Sequence, residues 1–197
     1  MTEKIFDLYS LEEIKVEDPS LKRVINITPK LILKSHGRNV KSFEKTRINV
    51  VERLINLIGV PGHRGKKHKL IKSKSSGKYE KNARIILNAL KIVEAKKKEN
   101  PVQVLIRAVE NSSPRDEITV IEYGGARYPQ AVDISPIRRI ALALRNLIHG
   151  ASDKAFNKKA TIAEALASEI IAASEKNNES FAIMKKNEAE KQADSAR

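Results

Sequence analysis

Apolar residues recur at every third or fourth position in six stretches of this chain, the spacing typical of helices that bury one face. In residues 79–97, for example, Ala83, Ile86, Leu87 and Leu90 fall on one side of a helix. The six predicted helices cover about 42–58, 79–97, 101–112, 136–149, a stretch that begins at Thr161, and 179–193. Together their apolar faces would enclose one aliphatic core.

Local sequence signals mark the ends of several predicted helices. Asn100-Pro101 and Ser135-Pro136 each combine a side chain that can cap a helix with a proline suited to its first turn. Gly59 and Gly150 are predicted to end the first and fourth helices, because glycine readily adopts the turn that follows a helix. His149 would then lie in a last turn, where a cation complements the negative end of the helix dipole.

A β-hairpin is predicted between the third and fourth helices. Residues 117–123 and 128–134 are rich in β-forming side chains, and Gly124-Gly125 between them supplies the backbone freedom that a tight reversal needs. A two-stranded ribbon on its own is marginally stable in water. We therefore expect the hairpin to project from its flanking helices onto a partner.

These elements predict a mainly α fold, a six-helix bundle with one β-hairpin between the third and fourth helices. Residues 42–197 are expected to form a single helical domain that includes the hairpin at 117–134. Residues 1–41 show no sustained period and are predicted to form an N-terminal extension with a mostly extended basic arm. The stretch GVPGHRGKKHKLIKSKSSGKYEKN, whose last residues begin the second predicted helix, is rich in Gly, Ser and Lys, which predicts a long basic loop before that helix.

Charge is distributed unevenly along the 197 residues, which carry a formal net charge of +14. Residues 28–81 hold 15 Lys and Arg against three acids, whereas residues 1–20 hold two Lys against six acids. A solvated surface normally mixes both signs, so the basic segment favours a surface that binds a polyanion such as nucleic acid. Because only 4% of the residues are aromatic, recognition of folded RNA by shape and phosphate contacts is favoured over base stacking along a sheet.

Composition and motifs argue against an enzyme or a metal protein. The chain has no cysteine, which excludes disulfides, thiolate nucleophiles and Cys-ligated metals. His63 and His68 lie in the basic loop without a neighbouring carboxylate, so solvation is favoured over metal binding. Gly59 and Gly65 are spaced too widely for a P-loop, and Lys67 replaces its hydroxyl residue. No apolar run approaches the ~18 residues of a membrane span, and we expect a cytoplasmic protein without a cofactor.

Cations in the arm, in the basic loop and on the fourth predicted helix are the candidate RNA ligands. Arg138 and Arg145 are seven residues apart and therefore share one side of that helix. The candidates are Lys30, Lys34, Arg38, Lys41, Lys45, Arg64, Lys66, Lys67, Lys69, Lys72, Lys74, Lys78, Arg115, Arg138, Arg139 and Arg145. Two alternatives remain open: a basic DNA-binding protein that uses the fourth helix for recognition, and a protein scaffold that docks through the sixth helix.

The segment GGARYPQAVDISPIRRIALALR resembles the hairpin and following helix of the small-subunit ribosomal protein seven family, whose eukaryotic counterpart is small-subunit protein five. That family has a Gly-Gly-x-x-Tyr motif, a short apolar strand, x-Pro-x-Arg-Arg and an Ala-Leu-rich helix. The matching positions are Gly124, Gly125, Tyr128, Val132, Ile134, Pro136, Arg138 and Arg139. NPVQVLIRAVENSSPRDE and the C-terminal SFAIMKKNEAEK are also similar, the latter to archaeal members. The resemblance extends from about Val50 to Arg197.

This resemblance implies six helices with a ribbon between the third and fourth, in a structural constituent of the small ribosomal subunit. Such proteins bind the 3′ major (head) domain of small-subunit rRNA, nucleate assembly of the head, and lie near the tRNA exit site and the mRNA path. By similarity the hairpin tip would approach tRNA or mRNA, and the sixth helix would face neighbouring ribosomal proteins. The tip residues are Tyr123, Gly124, Gly125, Arg127 and Tyr128.

Two expectations concern the segments with little periodicity. Residues 1–41 are expected to be poorly ordered without RNA. The family carries a Gly-Lys pair just before its second helix, and this chain offers both Gly65-Lys66 and Gly77-Lys78 for that position. The sequence leaves open which pair corresponds.

Overall fold

A computed structural model describes residues 4–12, 14–37, 39, 41–61 and 77–197 of the chain. This part of the chain contains seven α-helices and two antiparallel hairpins, which confirms the mainly helical class. The elements are β1 (Lys4–Ile5), β2 (Tyr9–Ser10), α1 (Pro19–Lys22), a 3-10 helix (Ser42–Arg47), α2 (Val50–Ile58), α3 (Tyr79–Lys97), α4 (Pro101–Ser112), β3 (Asp116–Tyr123), β4 (Ala126–Asp133), α5 (Pro136–Ala155), α6 (Ile162–Ser174) and α7 (Phe181–Asp194).

The core forms around α6, which packs against α3, α4 and α5. Its small and aliphatic residues, among them Ala167, Leu166 and Ile170, are fully buried and allow the neighbouring helices to approach closely. The Thr161 hydroxyl accepts a hydrogen bond from the Glu164 backbone N–H, and the Glu164 carboxylate accepts one from the Thr161 N–H. This capping box begins α6 at the position that the sequence predicts.

The N-terminal residues contribute to the core, although their sequence lacks a regular period. Ile5, Leu21 and Leu33 are fully buried, and the Val50 N–H donates to the Asn26 carbonyl at 3.0 Å. The first hairpin and α1 were not predicted, because their apolar residues are too few and too irregularly spaced to give a pattern. That residues 1–41 are poorly ordered without RNA stays a prediction.

The first predicted helix, 42–58, is divided in the structure, so its prediction as one continuous helix is wrong. A 3-10 helix covers Ser42–Arg47, Ile48 adopts an extended backbone, and α2 begins at Val50. The Asn49 side chain accepts a hydrogen bond from the Val51 N–H at 2.9 Å. An asparagine that caps a helix needs an extended backbone itself, and it therefore separates the two helices.

The fourth predicted helix does not end at Gly150; it continues as α5 to Ala155. A Cβ on Gly150 would lie 2.8 Å from both Glu169 Cδ and Phe181 Cβ, so glycine at this position permits the close approach of α6 and α7. His149 is buried within the helix, and its interpretation as a partner of the C-terminal dipole is wrong. The reason for the glycine is tertiary packing and not helix termination.

We expect Gly150→Ala to destabilise the fold by about 1–3 kcal/mol, because the added methyl overpacks a closed contact. Alanine favours a helix over glycine by about 1 kcal/mol, and the clash is expected to outweigh that gain. The free energy of unfolding, measured by urea denaturation, checks this. The matched control is Gly77→Ala, since a Cβ there meets nothing within 4 Å; it should leave stability unchanged or slightly raised. Equal effects of both substitutions would contradict the close contact.

A buried carboxylate joins α5, α6 and the start of α7. Glu169 is fully buried, and its Oε1 accepts hydrogen bonds from Ser180 Oγ at 2.7 Å and from the Ala182 N–H at 3.1 Å. Lys154 Nζ lies 2.6 Å from Oε2, an ion pair without the alignment of a hydrogen bond. The negative charge of Glu169 also faces the positive end of the α7 dipole.

The last helix, α7, packs against β3 and α5. Its Lys186 ammonium donates to the Asn111 carbonyl at 3.0 Å, and Glu190 accepts from the Arg115 N–H at 3.1 Å. Beyond Met184 the sequence of this helix is mostly polar. In the structure the base of the second hairpin covers part of it.

Candidate nucleic-acid interface

The predicted RNA-binding cations fall into three groups by position. Seven of them lie outside the residues that the structure describes: Arg38, Arg64, Lys66, Lys67, Lys69, Lys72 and Lys74. Among the described candidates, eight are exposed: Lys30, Lys34, Lys41, Lys45, Lys78, Arg115, Arg138 and Arg145. Arg139 differs from them because it is buried. The candidate surface therefore combines the arm, the start of α3 and one side of α5.

The arm and α3 bring separate cations together. Lys34 and Lys78 line one cavity, and Lys81 and Arg84 on the first two turns of α3 line it as well. The sequence prediction missed these last two residues. Spacings of three, four and three residues from Lys81 through Arg84 and Asn88 to Lys91 place all four on one side of a helix, a signal that could have identified them.

The position of α3 helps to decide which Gly-Lys pair of this chain corresponds to the pair that precedes the second helix of the family. Gly77-Lys78 directly precedes α3, with Lys78 at the N-cap position. Gly65-Lys66 lies outside the described residues. Since α3 is the second of the predicted helices, this placement favours Gly77-Lys78 as the counterpart of the family pair.

Arg138 links the base of the second hairpin to the first turn of α5. Its Nε and Nη2 donate to the two carboxylate oxygens of Glu117 at 2.7 and 2.8 Å. These hydrogen bonds raise the pKa of the Arg138 guanidinium above its ordinary value. The arginine side chain is more than half exposed, so a phosphate that reaches Arg138 would share it with Glu117 or compete with Glu117 for it.

Arg139 points inward and fastens the N-terminal residues to the body of the protein. Its Nη2 donates to Asp18 Oδ2 at 2.8 Å and to Ser113 Oγ at 3.2 Å. Its Nε donates to the Pro114 carbonyl at 3.2 Å, and its Nη1 donates to Ser20 Oγ. All three guanidinium nitrogens therefore have acceptors within the chain. This geometry favours a structural role for Arg139 over the predicted RNA contact.

The groups around this ion pair are partly buried and electrostatically coupled. Burial alone would raise the pKa of Asp18, but hydrogen bonds from Ser20 and Arg139 outweigh it and hold that pKa below its usual 3.8. Burial raises the pKa of Glu110, which accepts a hydrogen bond from the Asp18 N–H at 3.0 Å. Burial lowers the pKa of the nearby Lys186. The acidic Asp18 thus compensates the charge of Arg139 on α5.

The tip of the second hairpin is exposed on both faces. Gly124 and Gly125 have φ values of +58° and +81°, the combination of a type I′ reversal. In the register, Ile121 lies opposite Tyr128 and Tyr123 lies opposite Ala126, so these four residues share one face. Tyr123 is 82% exposed and Tyr128 is 58% exposed. This face offers two rings to a partner outside the chain.

Within the described residues, no group of three or more His, Cys, Asp or Glu side chains could hold a metal ion. No helix in this same part of the chain is both long and apolar enough to cross a bilayer. His63 and His68 lie outside the described residues. The described residues provide the features of a binding surface: exposed cations, a cleft lined by them and a projecting hairpin.

Comparison with known proteins shows which family this chain resembles. The family described as ribosomal protein S7p/S5e matches residues 21–197. A small ribosomal subunit protein uS7 from Nanoarchaeum equitans is 46% identical over 198 residues, and the match covers 100% of both chains. The uS7 proteins of Methanococcus maripaludis strain C6 and Methanothermobacter thermautotrophicus are 46% and 44% identical, with 98% of each chain covered.

The match is longer than the resemblance that the sequence motifs indicated. The motifs supported similarity from about Val50, whereas the family match begins at residue 21, within α1, and includes the arm and α2. These relatives are ribosomal proteins and not enzymes, which confirms the prediction that this chain is not an enzyme. The chain belongs to the ribosomal protein S7p/S5e family.

Proposed function

We propose that this chain binds the 3′ major domain of small-subunit rRNA, nucleates assembly of the subunit head and lies near the tRNA exit site and the mRNA path. Family membership supports the coarser role, a structural constituent of the small ribosomal subunit that binds rRNA. The observation that carries the proposal is the match to archaeal small-subunit proteins over the whole chain. Such a protein resides in the cytoplasm, within the subunit.

The exposed cations of the arm and α3 contact the RNA backbone in this proposal. Lysines on flexible stems suit phosphates whose positions vary along a folded RNA, and their contacts release counterions. The loop cations Arg64, Lys66, Lys67, Lys69, Lys72 and Lys74, together with Arg38, belong to the same set. Arg115 and Arg145 extend it along the hairpin base and α5. Arg139 instead holds Asp18.

The hairpin tip reaches tRNA or mRNA in this proposal. The exposed rings of Tyr123 and Tyr128 on one face are suited to stacking against unpaired bases. Arg127 lies 3.6 Å from Glu122 in an exposed pair, which is weak enough for the guanidinium to exchange Glu122 for a phosphate. Neighbouring ribosomal proteins would contact the exposed side of α7.

The salt dependence of binding tests the arm as the rRNA surface. We expect the triple substitution of Lys30, Lys41 and Lys45 by alanine to reduce the slope of log affinity against log salt by about 2–3, since each lost phosphate contact removes about 0.7–0.9. The matched control removes the same charge elsewhere, by alanine at the exposed Lys96, Lys158 and Lys159. The measurement is a filter-binding titration of the head-domain rRNA at several salt concentrations.

Two outcomes of this titration would contradict the proposal. Equal changes of slope in both triple variants would show that only total charge matters and that the arm is no specific surface. Duplex DNA that competes with the head-domain rRNA on equal terms, at one fixed salt concentration, would instead favour the DNA-binding alternative. We expect the rRNA to be preferred by both the wild type and the control variant.

A further inference from the structure

The arm and the first two turns of α3 enclose an open cleft, the arm–α3 cleft. It has two adjoining parts with volumes of about 530 and 470 Å³. Both parts are lined by Lys34, Tyr79, Glu80 and Arg84, so they form one continuous depression. Volumes of this size accommodate small organic groups, up to a nucleotide or a short stretch of chain.

One part of the cleft is strongly basic. Lys34, Lys78, Lys81 and Arg84 line it, whereas Glu80 is the single acidic residue in its wall. Four cations against one carboxylate leave a net positive wall in a concave site, where the surrounding low-dielectric protein concentrates the field. An anionic group such as a phosphate is the ligand that this wall favours.

The other part of the cleft is mostly apolar and open to solvent. Leu31 and Ile32 are each 67% exposed, and Phe6, Leu33, His36, Ala83 and Leu87 also line this part. Adjacent large aliphatic side chains that remain this exposed indicate a surface that a partner covers. The partner must therefore bring an apolar or aromatic surface within reach of an anion.

Tyr79 lies where the two parts meet. The Lys34 ammonium is 5.5 Å from the centre of the Tyr79 ring, while the Tyr79 hydroxyl is buried without a hydrogen-bond partner among the described residues. Burial, and next the charge of Glu52, raise the pKa of Tyr79 to about 12, so the ring stays neutral at physiological pH. The cleft therefore combines a neutral ring and aliphatic side chains with cations beside them.

We propose that the arm–α3 cleft binds one unstacked nucleotide of the RNA, a base turned out of its helix at a bulge or junction. The base lies against Leu31, Ile32 and the Tyr79 ring, and its phosphate lies against the basic wall. A fully paired helix offers no free base face, so the cleft selects irregular RNA by shape and not by sequence. This inference rests on the proposed rRNA binding and names the RNA feature that it recognises.

The test compares two RNA hairpins that differ at one position: one carries a single bulged adenosine and the other an abasic residue in its place. We expect the wild-type chain to bind the bulged hairpin at least about 5-fold more tightly, the effect of stacking one base on a protein surface. The double variant Leu31→Ser/Ile32→Ser should lose this preference while its salt dependence stays unchanged. Both side chains are exposed, so the fold should tolerate the change.

The matched control is Leu8→Ser, because Leu8 is also an exposed leucine, at 53%, but does not line the cleft. This variant should keep the preference for the bulged adenosine. A wild type that binds both hairpins equally, or a double variant that keeps the preference, overturns the nucleotide site and leaves rRNA binding intact. Binding of neither hairpin, nor of head-domain rRNA, would overturn the proposed function itself. If the wild type binds both hairpins equally but binds an acidic, leucine-containing peptide that the double variant does not bind, the cleft is a protein-docking site instead.

Discussion

Replacing Glu169 by alanine is expected to lower the free energy of unfolding by about 3–5 kcal/mol, because it leaves a buried hydroxyl and a buried N–H without their acceptor and removes the partner of the half-buried Lys154. The carboxylate is fully buried, and three groups depend on it: the Lys154 ammonium, the Ser180 hydroxyl and the Ala182 N–H. Its loss leaves buried donors without an acceptor at the point where α5, α6 and α7 meet. Chemical denaturation of the purified chain measures the effect.

The control for this prediction is Glu188→Ala on α7. Glu188 also pairs with a lysine, Lys185 at 2.5 Å, but both side chains are about half exposed. An exposed pair of this kind contributes about 0–1 kcal/mol. Glu169→Gln separates charge from hydrogen bonding, because the amide oxygen can still accept from Ser180 and Ala182, and its cost should fall between the other two. Similar losses for Glu169→Ala and Glu188→Ala would show that the three-helix junction does not depend on the carboxylate.

The helices with strong local signals could be predicted from the sequence. The Asn100 side chain accepts from the Val102 N–H at 3.0 Å, as its position before Pro101 predicts. The Thr161 capping box and the start of α5 at Pro136 also lie where the sequence places them, although the Ser135 side chain makes no capping hydrogen bond to α5. These signals act over three or four residues, so their physical cause is contained in the local sequence.

Features that depend on tertiary contacts could not be predicted in this way. The sequence around Gly150 is typical of a helix end, but the residues that pack against Gly150, Glu169 and Phe181, are distant from it in the chain. The N-terminal residues lack a period because isolated side chains, such as Leu21, each fill a gap between elements formed elsewhere. A periodic pattern of apolar residues reveals the buried face of a helix or strand, but it gives no sign of a single buried side chain in an irregular segment.

The candidate RNA-binding surface likewise has features that the sequence predicts and features that depend on tertiary contacts. Positive charge along the arm predicts a polyanion partner from composition alone, but it cannot show which cations share a cleft. Lys34 meets Lys78, Lys81 and Arg84 only because the arm returns over the start of α3. Arg139 has the sequence environment of a surface cation, whereas its acceptors come from α1, the end of α4 and the following loop.

Arg139→Ala is expected to destabilise the chain by about 3–5 kcal/mol, because Asp18 would remain partly buried without its partner. The ion pair joins the N-terminal residues to α5, with the arginine side chain 9% exposed and the aspartate 23% exposed. Arg139→Lys should restore little of the loss, since an ammonium cannot reproduce the fork that serves Asp18, Ser113 and Pro114 together. Thermal and urea unfolding provide the measurement.

The loss of stability caused by Arg139→Ala is expected to depend on pH. The pKa of Asp18 is lowered in the folded chain, so the stabilisation from its ionised form is present above the usual 3.8 and is lost as the pH falls through the lower folded value. The difference in stability between the wild type and Arg139→Ala should therefore be largest near neutral pH and should shrink below about pH 3.8. A difference that stays constant down to acid pH would assign the effect to packing and not to the ion pair.

A comparison with Arg145→Ala distinguishes the structural arginine from an RNA-binding one on the same helix. Arg145 is exposed, so its loss should change stability by no more than about 0.5 kcal/mol, while the slope of log affinity against log salt falls by about 0.7–0.9. Arg139→Ala should show the reverse, with a large loss of stability and an unchanged slope at a temperature where both variants are folded. A reduced slope in Arg139→Ala would mean that the guanidinium leaves Asp18 to contact phosphate, and the structural assignment would then be wrong.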